Sequence, residues 1–176
     1  MTVTLAEITI RNDLRPGDLG YVIHRHGCLY GAEYGYGVQF EAYVASGLAE
    51  FHARYDRAKD RTWICEHGAK PVGFLLLMHR EGSTAQLRYF LIEPAYRGIG
   101  LGKKLMTMYM DFLRGCGYAR SYLWTTHELV AAAALYTRHG FRPTAEKEST
   151  AFGKAVREQR YDLVLAGQTL DQATAG

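Results

Sequence analysis

The sequence lacks the cysteine and histidine patterns that stabilise small secreted domains or hold metal ions. Its 176 residues include only three cysteines, Cys28, Cys65 and Cys116, which lie far apart and form no Cys-x-x-Cys spacing. An odd number of widely separated thiols indicates reduced cysteines rather than a disulfide framework, and we therefore expect an intracellular, cytoplasmic protein. His24 and His26 are two residues apart, and no third ligand follows at a useful spacing, so we expect no metal.

Long apolar runs and a large excess of one charge are also absent. No apolar stretch, Phe74–Met78 included, approaches the roughly 20 residues that cross a bilayer. Met1–Thr9 has neither the basic start nor the apolar run of a signal peptide. The formal net charge of +3 is small and its basic residues are dispersed. We expect no membrane and no nucleic-acid partner, although a local basic patch could still bind an anionic ligand.

The composition that is present predicts one domain with its own core. Apolar residues make up 48% of the chain and charged residues 22%, which is a balance typical of globular proteins. No linker, repeat or low-complexity block divides the chain. We expect a single domain over residues 1–166 and a disordered tail over residues 167–176, where the sequence is small and polar.

Hydrophobic periodicity places the elements of this domain. Strands are predicted over Glu7–Arg11, Thr62–Glu66, Pro71–Met78, Ala85–Ile92, Ser121–Trp124, Phe141–Lys147 and Arg160–Leu165. Helices are predicted over Val38–Arg57, from Leu101 to Gly115, and over Leu129–His139. Leu19–Tyr36 is interpreted as a partly helical stretch that its glycines break, typical of a loop over a cleft. The order predicts an α/β (α+β) fold, with a mixed, mostly antiparallel central sheet of about six to seven strands and helices on both faces.

A glycine-rich turn between a strand and a helix carries the clearest chemical signal. Residues 97–104 read RGIGLGKK, so main-chain N–H groups and three basic side chains meet at a helix N-terminus, which favours phosphate binding. The dinucleotide pattern G-x-G-x-x-G fails because Lys103 stands at the third glycine, and a P-loop fails on its spacing. The pattern R/Q-x-x-G-x-G/A fits, with Arg97, Gly100 and Gly102 in the fixed places.

This run resembles the coenzyme A pyrophosphate loop of the GNAT family of N-acetyltransferases. Ala131–Phe141, AAAALYTRHGF, is similar to a second segment of that family, A-x-x-L-Y-x-x-x-G-F, and follows at about the family's distance. Only these two stretches are specific, and the rest of the resemblance is in the order of elements. Arg15–Val44 also resembles the acetyltransferase half of bacterial chains that join it to a MarR-type winged helix, although no winged-helix pattern occurs in these residues.

The resemblance implies acetyl-coenzyme A as cosubstrate, with no metal, and it assigns the residues that would bind it. The main chain of the strand before the loop would pair with the pantetheine arm, at Phe90, Leu91 and Ile92. Arg97 and the N–H groups of the loop would hold the pyrophosphate, at Gly98, Ile99, Gly100, Leu101, Gly102 and Lys103. The family's strand splays from its neighbour here, so an N–H near Ile92 could stabilise a developing oxyanion.

Tyr136 matches the family's tyrosine that protonates the departing thiolate. A phenol with a pKa of about 10 can donate to a thiolate with only a modest shift. A packing role remains an alternative, because Leu129, Ala132 and Tyr136 share one helical face.

The base and the acceptor site stay open at the level of sequence. Strand alternation puts Gln86 and Arg88 on the face of Phe90 and Ile92, and neither is a plausible base. Glu33, Glu41, His127 or a water chain could remove the amine's proton instead. Arg88, Gln86 and Glu33 are candidate substrate residues, because a buried guanidinium needs either an internal carboxylate or an anionic group on the substrate.

Two functions from different classes follow from these residues. The first is an enzyme that transfers the acetyl group of acetyl-CoA to a primary amine of a small molecule. The alternative is a non-catalytic acyl-CoA-binding sensor or regulatory module, which keeps the loop without the proton chemistry. A homodimer is compatible with both.

Overall fold

The structure is a computed structural model, and it describes residues 3–165. The disorder predicted for residues 167–176 therefore concerns residues outside the described range. The strands are β1 (Ile8–Arg11), β2 (Arg61–His67), β3 (Lys70–Arg80), β4 (Thr84–Ile92), β5 (Arg120–Thr126), β6 (Arg142–Ser149) and β7 (Val156–Val164). The helices are α1 (Asp18–Tyr34), α2 (Val38–Ala53), α3 (Leu101–Gly115) and α4 (Val130–Arg138).

All seven strands form one sheet in the order β1-β2-β3-β4-β5-β7-β6. Every neighbouring pair is antiparallel except β4 and β5, which are parallel. A parallel pair needs a crossover connection, and α3 supplies it. The predicted fold class, a mixed and mostly antiparallel sheet with helices on both faces, is confirmed.

Strand β3 shows why its apolar run is continuous rather than alternating. Phe74, Leu76 and Met78 pack under α1 and α2 on one face of the sheet. Leu75 and Leu77 belong to the core on the other face, with α3 and α4. All five side chains are at most 1% exposed, because a central strand covered on both sides has no wet face.

The prediction that glycines break Leu19–Tyr36 into a loop is wrong, because α1 is one continuous helix from Asp18 to Tyr34. Gly35 caps its C-terminus with φ +71°. One glycine within it has a packing reason. A Cβ on Gly27 would lie 2.3 Å from a carboxylate oxygen of Glu41 on α2. Close approach of two helices therefore explains this glycine, and the sequence pattern alone does not separate such packing from a helix break.

A gap between β4 and β5 positions the site. The two strands pair only from Thr84 to Leu87 on β4, against Arg120 to Leu123 on β5. Beyond that point Tyr89 adopts φ +54°, and the register of β4 against β3 shifts. A bulge of this kind bends the strand, so β4 and β5 separate at the level of the following residues.

Candidate active site

A cleft of about 420 Å³ occupies the gap and the adjoining ends of α1, α3 and α4. Phe90, Leu91 and Ile92 line it from β4, and Tyr136 lines it from α4. Gly98 reaches it from the loop before α3, and Gly102 from the first turn of that helix. Most residues assigned from the sequence therefore meet at one concavity.

The loop before α3 presents main-chain donors that no protein group uses. Within residues 3–165, the six N–H groups from Gly98 to Lys103 donate to no backbone acceptor, and Gly100 is an N-cap with no side-chain bond. Gly98 (φ +82°) and Gly100 (φ +90°) take the left-handed conformation that aims these donors outward. Open donors at the positive end of a 15-residue helix fit a pyrophosphate. Gly100 and Lys103 also line a second pocket of about 350 Å³, while Leu101 is buried in the core.

Arg97 lies at the entrance of the cleft beside this loop. Its guanidinium makes two contacts with the carboxylate of Glu33, at 2.9 and 3.1 Å, and its Nε donates to the carbonyl of Ile92 at 3.0 Å. Its side chain is 47% exposed, so water screens the ion pair and leaves the charge available to an anion. Glu33 thus lies at the phosphate end of the cleft.

The main chain at the end of β4 faces the gap. The N–H of Glu93 donates to the carbonyl of Val72 on β3 at 2.9 Å. Because antiparallel strands alternate the direction of their polar groups, the N–H and carbonyl of Ile92 point away from β3 and into the gap. The N–H of Ile92 is therefore open to an extended ligand, whereas its carbonyl already accepts from Arg97 Nε at 3.0 Å. Pairing of this edge with the pantetheine arm stays a prediction.

Tyr136 is buried at the base of the cleft, with 5% of its surface exposed. Its ring packs near Phe90, with centroids 6.3 Å apart, and near Phe141, at 6.2 Å. Within residues 3–165 its hydroxyl makes no side-chain hydrogen bond. Burial raises the pKa of Tyr136 well above its ordinary value, because the charged phenolate loses solvation. The side chain therefore keeps its proton at neutral pH.

Arg88 and Gln86 lie at the opposite end of the cleft, at the start of the gap. Arg88 is 10% exposed, with one nitrogen 3.7 Å from Glu50 and another donating to the Tyr43 hydroxyl at 3.2 Å. Glu50 is bound more closely by Arg80, at 2.8 Å, and Arg80 also donates to Gln86. Arg54 is also 3.5 Å from Glu50, so three guanidinium groups beside one carboxylate leave a local excess of positive charge here.

Aromatic side chains form the wall between the two ends of the cleft. Tyr36 stacks on Phe152 at 5.4 Å, and its hydroxyl lies 2.7 Å from Thr126 Oγ1 on β5. Tyr30, Tyr34 and Tyr36 all line the cleft. The sequence analysis missed four further lining residues, Trp124, Thr126, Phe152 and Glu158. Glu158 was missed because the predicted seventh strand begins at Arg160 and the observed one begins at Val156.

Two of the three protein bases left open by the sequence lie away from the cleft. Glu41 is held against Gly27 between α1 and α2. His127 Nδ1 accepts a hydrogen bond from the N–H of Arg157 at 3.3 Å. Neither lines the cleft.

Comparison with known proteins identifies the family. Residues 29–141 match the family described as the acetyltransferase (GNAT) family. The chain is 36% identical over 114 residues to the N-acetyltransferase YjgM of Escherichia coli, a match that covers 62% of this chain and 68% of that protein.

Two solved structures share the fold. One is the acetyltransferase yncA of Salmonella typhimurium with its cofactor acetyl-CoA (22% identity, TM-score 0.71, covering 96% of this chain and 99% of that one). The other is spermidine N-acetyltransferase of Vibrio cholerae in complex with CoA and spermine (19% identity, TM-score 0.67, covering 90% and 96%).

Neither a membrane-spanning helix nor a metal-binding cluster occurs within residues 3–165. No helix within residues 3–165 has the length and apolar content needed to span a bilayer. No group of three or more His, Cys, Asp or Glu residues in that range could hold a metal ion. The expected absence of nucleic-acid partners, the cytoplasmic location, the homodimer and the MarR-linked resemblance stay predictions.

The family match covers most of the chain, and the fold and the open donor loop agree with it. The chain therefore belongs to the GNAT family of acetyl-CoA-dependent enzymes and is an N-acetyltransferase.

Proposed function

We propose that this enzyme transfers the acetyl group of acetyl-CoA to the primary amine of a small molecule that also carries a carboxylate. The observation that supports this most directly is the arrangement of charge along one cleft. Open main-chain donors and Arg97 stand at one end, and Arg88 stands at the other, with apolar and aromatic side chains between them.

The phosphate end suits the pyrophosphate of the cosubstrate. The N–H groups of Gly98–Lys103 would hold it, with Arg97 alongside, and the open N–H of Ile92 would pair with the pantetheine arm. Bound acetyl-CoA supplies an activated acetyl group as a thioester. The protein excludes water from that group, because the cleft is walled by Phe90, Leu135 and Tyr136.

Tyr136 would supply the proton that the leaving sulfur requires. Its buried phenol stays protonated at neutral pH, since burial raises its pKa. The same apolar surroundings raise the proton affinity of a thiolate beside it, so donation from Tyr136 Oη to sulfur is not strongly uphill.

Arg88 would bind the carboxylate of the acceptor. Its contact with Glu50 is long, at 3.7 Å, and Glu50 is already bound by Arg80 at 2.8 Å. The Arg88 side chain is 10% exposed, and Glu50 compensates its charge only weakly. Its guanidinium can therefore donate two hydrogen bonds to a carboxylate of the acceptor. Gln86, 7% exposed and held by Arg80, lies beside it on the same strand.

The test of this acceptor class is the variant Arg88→Ala. We expect the Michaelis constant for amines that carry a carboxylate to rise by roughly 10-fold to 100-fold, the cost of one charge-assisted pair, with little change for uncharged amines. Steady-state kinetics on matched amines with and without a carboxylate measures this. An equal rise in the Michaelis constant for both classes of amine, or only a lower free energy of unfolding, would mean that Arg88 stabilises the fold through Glu50 and does not bind the acceptor.

A non-catalytic acyl-CoA sensor makes a different prediction for the same cleft. It would bind acetyl-CoA and release no free thiol with any amine. Enzymatic release of coenzyme A thiol in the presence of an amine separates the two functions.

A further inference from the structure

Glu158 on β7 faces the cleft, although no family motif points to it. Its register partner on β5 is Thr126, and residues directly opposite each other in antiparallel strands share a face. Thr126 Oγ1 lies 2.7 Å from the hydroxyl of Tyr36, which follows α1. Glu158 therefore lies on the α1 side of the sheet, and its side chain lines the same cleft as Tyr136 and Arg88.

Glu158 also lies at the level where β4 and β5 separate. The last paired residues of those strands are Leu87 and Leu123, and Thr126 is three residues further along β5. At that level the edge of β4 that faces the gap begins, around Phe90. Glu158, on β7 beyond β5, thus lies level with the main chain proposed to bind the pantetheine arm and on the far side of the gap.

The acidic residues of the cleft are few, and their partners differ. Among the described residues that line it, only Glu33 and Glu158 are acidic. Glu33 is bound by two nitrogens of Arg97 at the phosphate end. Glu158 is 12% exposed, and its one cation within 4 Å, Lys147, is 3.7 Å away and itself half exposed. Glu158 is therefore the carboxylate at the acceptor end that can accept a new cation.

The other candidates for a base are already committed or poorly suited. Glu128 Oε1 accepts from Lys154 at 2.7 Å, and Glu128 does not line the cleft. His26 lines the cleft, but its Nδ1–H donates to the carbonyl of Val22 at 2.8 Å. Taking a proton would leave a charged imidazolium at a site only 2% exposed, whereas a carboxylate becomes neutral when it takes one.

Resting on the proposed function, we propose that Glu158 binds the ammonium group of the acceptor and removes its proton. The N–H bond breaks, the proton moves to a carboxylate oxygen of Glu158, and the bonding electrons remain on nitrogen as the lone pair that attacks. The proton then passes to solvent, so the carboxylate is restored. When the C–S bond breaks, the nitrogen loses its second proton, which balances the proton that Tyr136 gives to the leaving sulfur. Glu158 at the ammonium and Arg88 at the carboxylate together fit a zwitterionic acceptor, with Trp124 and Phe152 offering apolar surface.

The test compares two isomeric acceptors on Glu158→Gln. 4-(Aminomethyl)benzoate carries an alkylamine that is protonated at neutral pH, whereas 4-aminophenylacetate carries an arylamine that is already neutral. Loss of a general base should lower kcat/KM for the aminomethyl isomer by about 10²-fold or more. The arylamine isomer, which needs no such base, should lose less than about 5-fold, and the melting shift that acetyl-CoA produces should not change.

Glu146→Gln is the matched control, because Glu146 lies on the neighbouring β6, bonds to Arg157 and Gln159, and does not line the cleft. It should leave both rates as they are. As a second readout, the stabilisation of the acetyl-CoA complex by 4-(aminomethyl)benzoate should disappear in Glu158→Gln. Equal losses for both isomers would overturn the role of Glu158 while leaving the acetyltransferase intact. Absence of turnover of either isomer by the parent enzyme would instead overturn the proposed acceptor class.

Discussion

At the residue scale, the chemistry of the cleft depends on buried groups whose surroundings set their protonation. Tyr136 is kept neutral by apolar neighbours, and so is His26, which lies against Tyr30 and Tyr89. These two neutral side chains differ in their chemistry. The phenol of Tyr136 can still donate a proton, whereas the buried imidazole of His26 resists gaining one.

Tyr136→Phe removes the donor and keeps the ring. We expect kcat to fall by roughly 10²-fold or more, because the leaving thiolate loses its proton source. Affinity for acetyl-CoA, measured by calorimetry, should change little, since the ring contacts with Phe90 and Phe141 remain. A variant that turns over at the parent rate would make water the acid.

His26 should give the fold an acid-sensitive stability. Its folded pKa is about 4 and its unfolded value about 6.5, so below pH 6.5 the unfolded chain binds a proton that the folded protein does not. The unfolding free energy should therefore fall by about 2 kcal/mol between pH 7 and pH 5 through this group. Urea unfolding of His26→Phe should show a smaller drop. His24→Gln, at an exposed position of the same helix, should behave like the parent.

At the element scale, the loop before α3 joins sequence to function most directly. Its glycine spacing predicted the phosphate site, and the structure gives a reason for two of the glycines, because positive φ at Gly98 and Gly100 favours a residue without a side chain. The gap between β4 and β5 followed from the family resemblance alone. Nothing in the residues themselves marks Tyr89 as the bulge, since an aromatic residue at φ +54° goes against local preference and is imposed by packing.

Gly102→Val should prevent cofactor binding without unfolding the protein. A Cβ there would lie 3.3 Å from Leu135 and 3.5 Å from Ile92, so the added methyls fill the space beside the open N–H groups. The acetyl-CoA melting shift should vanish while circular dichroism stays that of the parent.

Gly115→Val is the control for that change, since it lies in the same helix and a Cβ there meets nothing within 4 Å. It should keep the melting shift. Unchanged cofactor affinity in Gly102→Val would mean that the loop serves only the fold.

At the scale of the whole molecule, the fold class, a mostly antiparallel sheet with helices on both faces, was predictable from periodicity and element order, whereas the strand order and the acceptor end were not. Strand alternation predicted Arg88 on the same face as Phe90 and Ile92, and this is wrong, because the bulge at Tyr89 breaks the alternation. Phe90 and Ile92 pack with the α3–α4 core, whereas Arg88 contacts Tyr43 and Glu50 of α2. Glu158 comes from the far end of the chain. Contacts between residues so distant in sequence depend on how the layers pack. The substrate side of the cleft therefore became visible only in three dimensions.

The central claim is that this cleft transfers an acetyl group, and it can be tested by the release of coenzyme A thiol from acetyl-CoA over a panel of amines, amino acids and peptides. We predict amine-dependent thiol release, matched mole for mole by an N-acetylated product, and fastest for amines that carry a carboxylate. At about 100 times its dissociation constant, acetyl-CoA should also stabilise the fold by about 2.7 kcal/mol. Stabilisation by acetyl-CoA with no thiol release for any amine would contradict the account and identify a binding module instead.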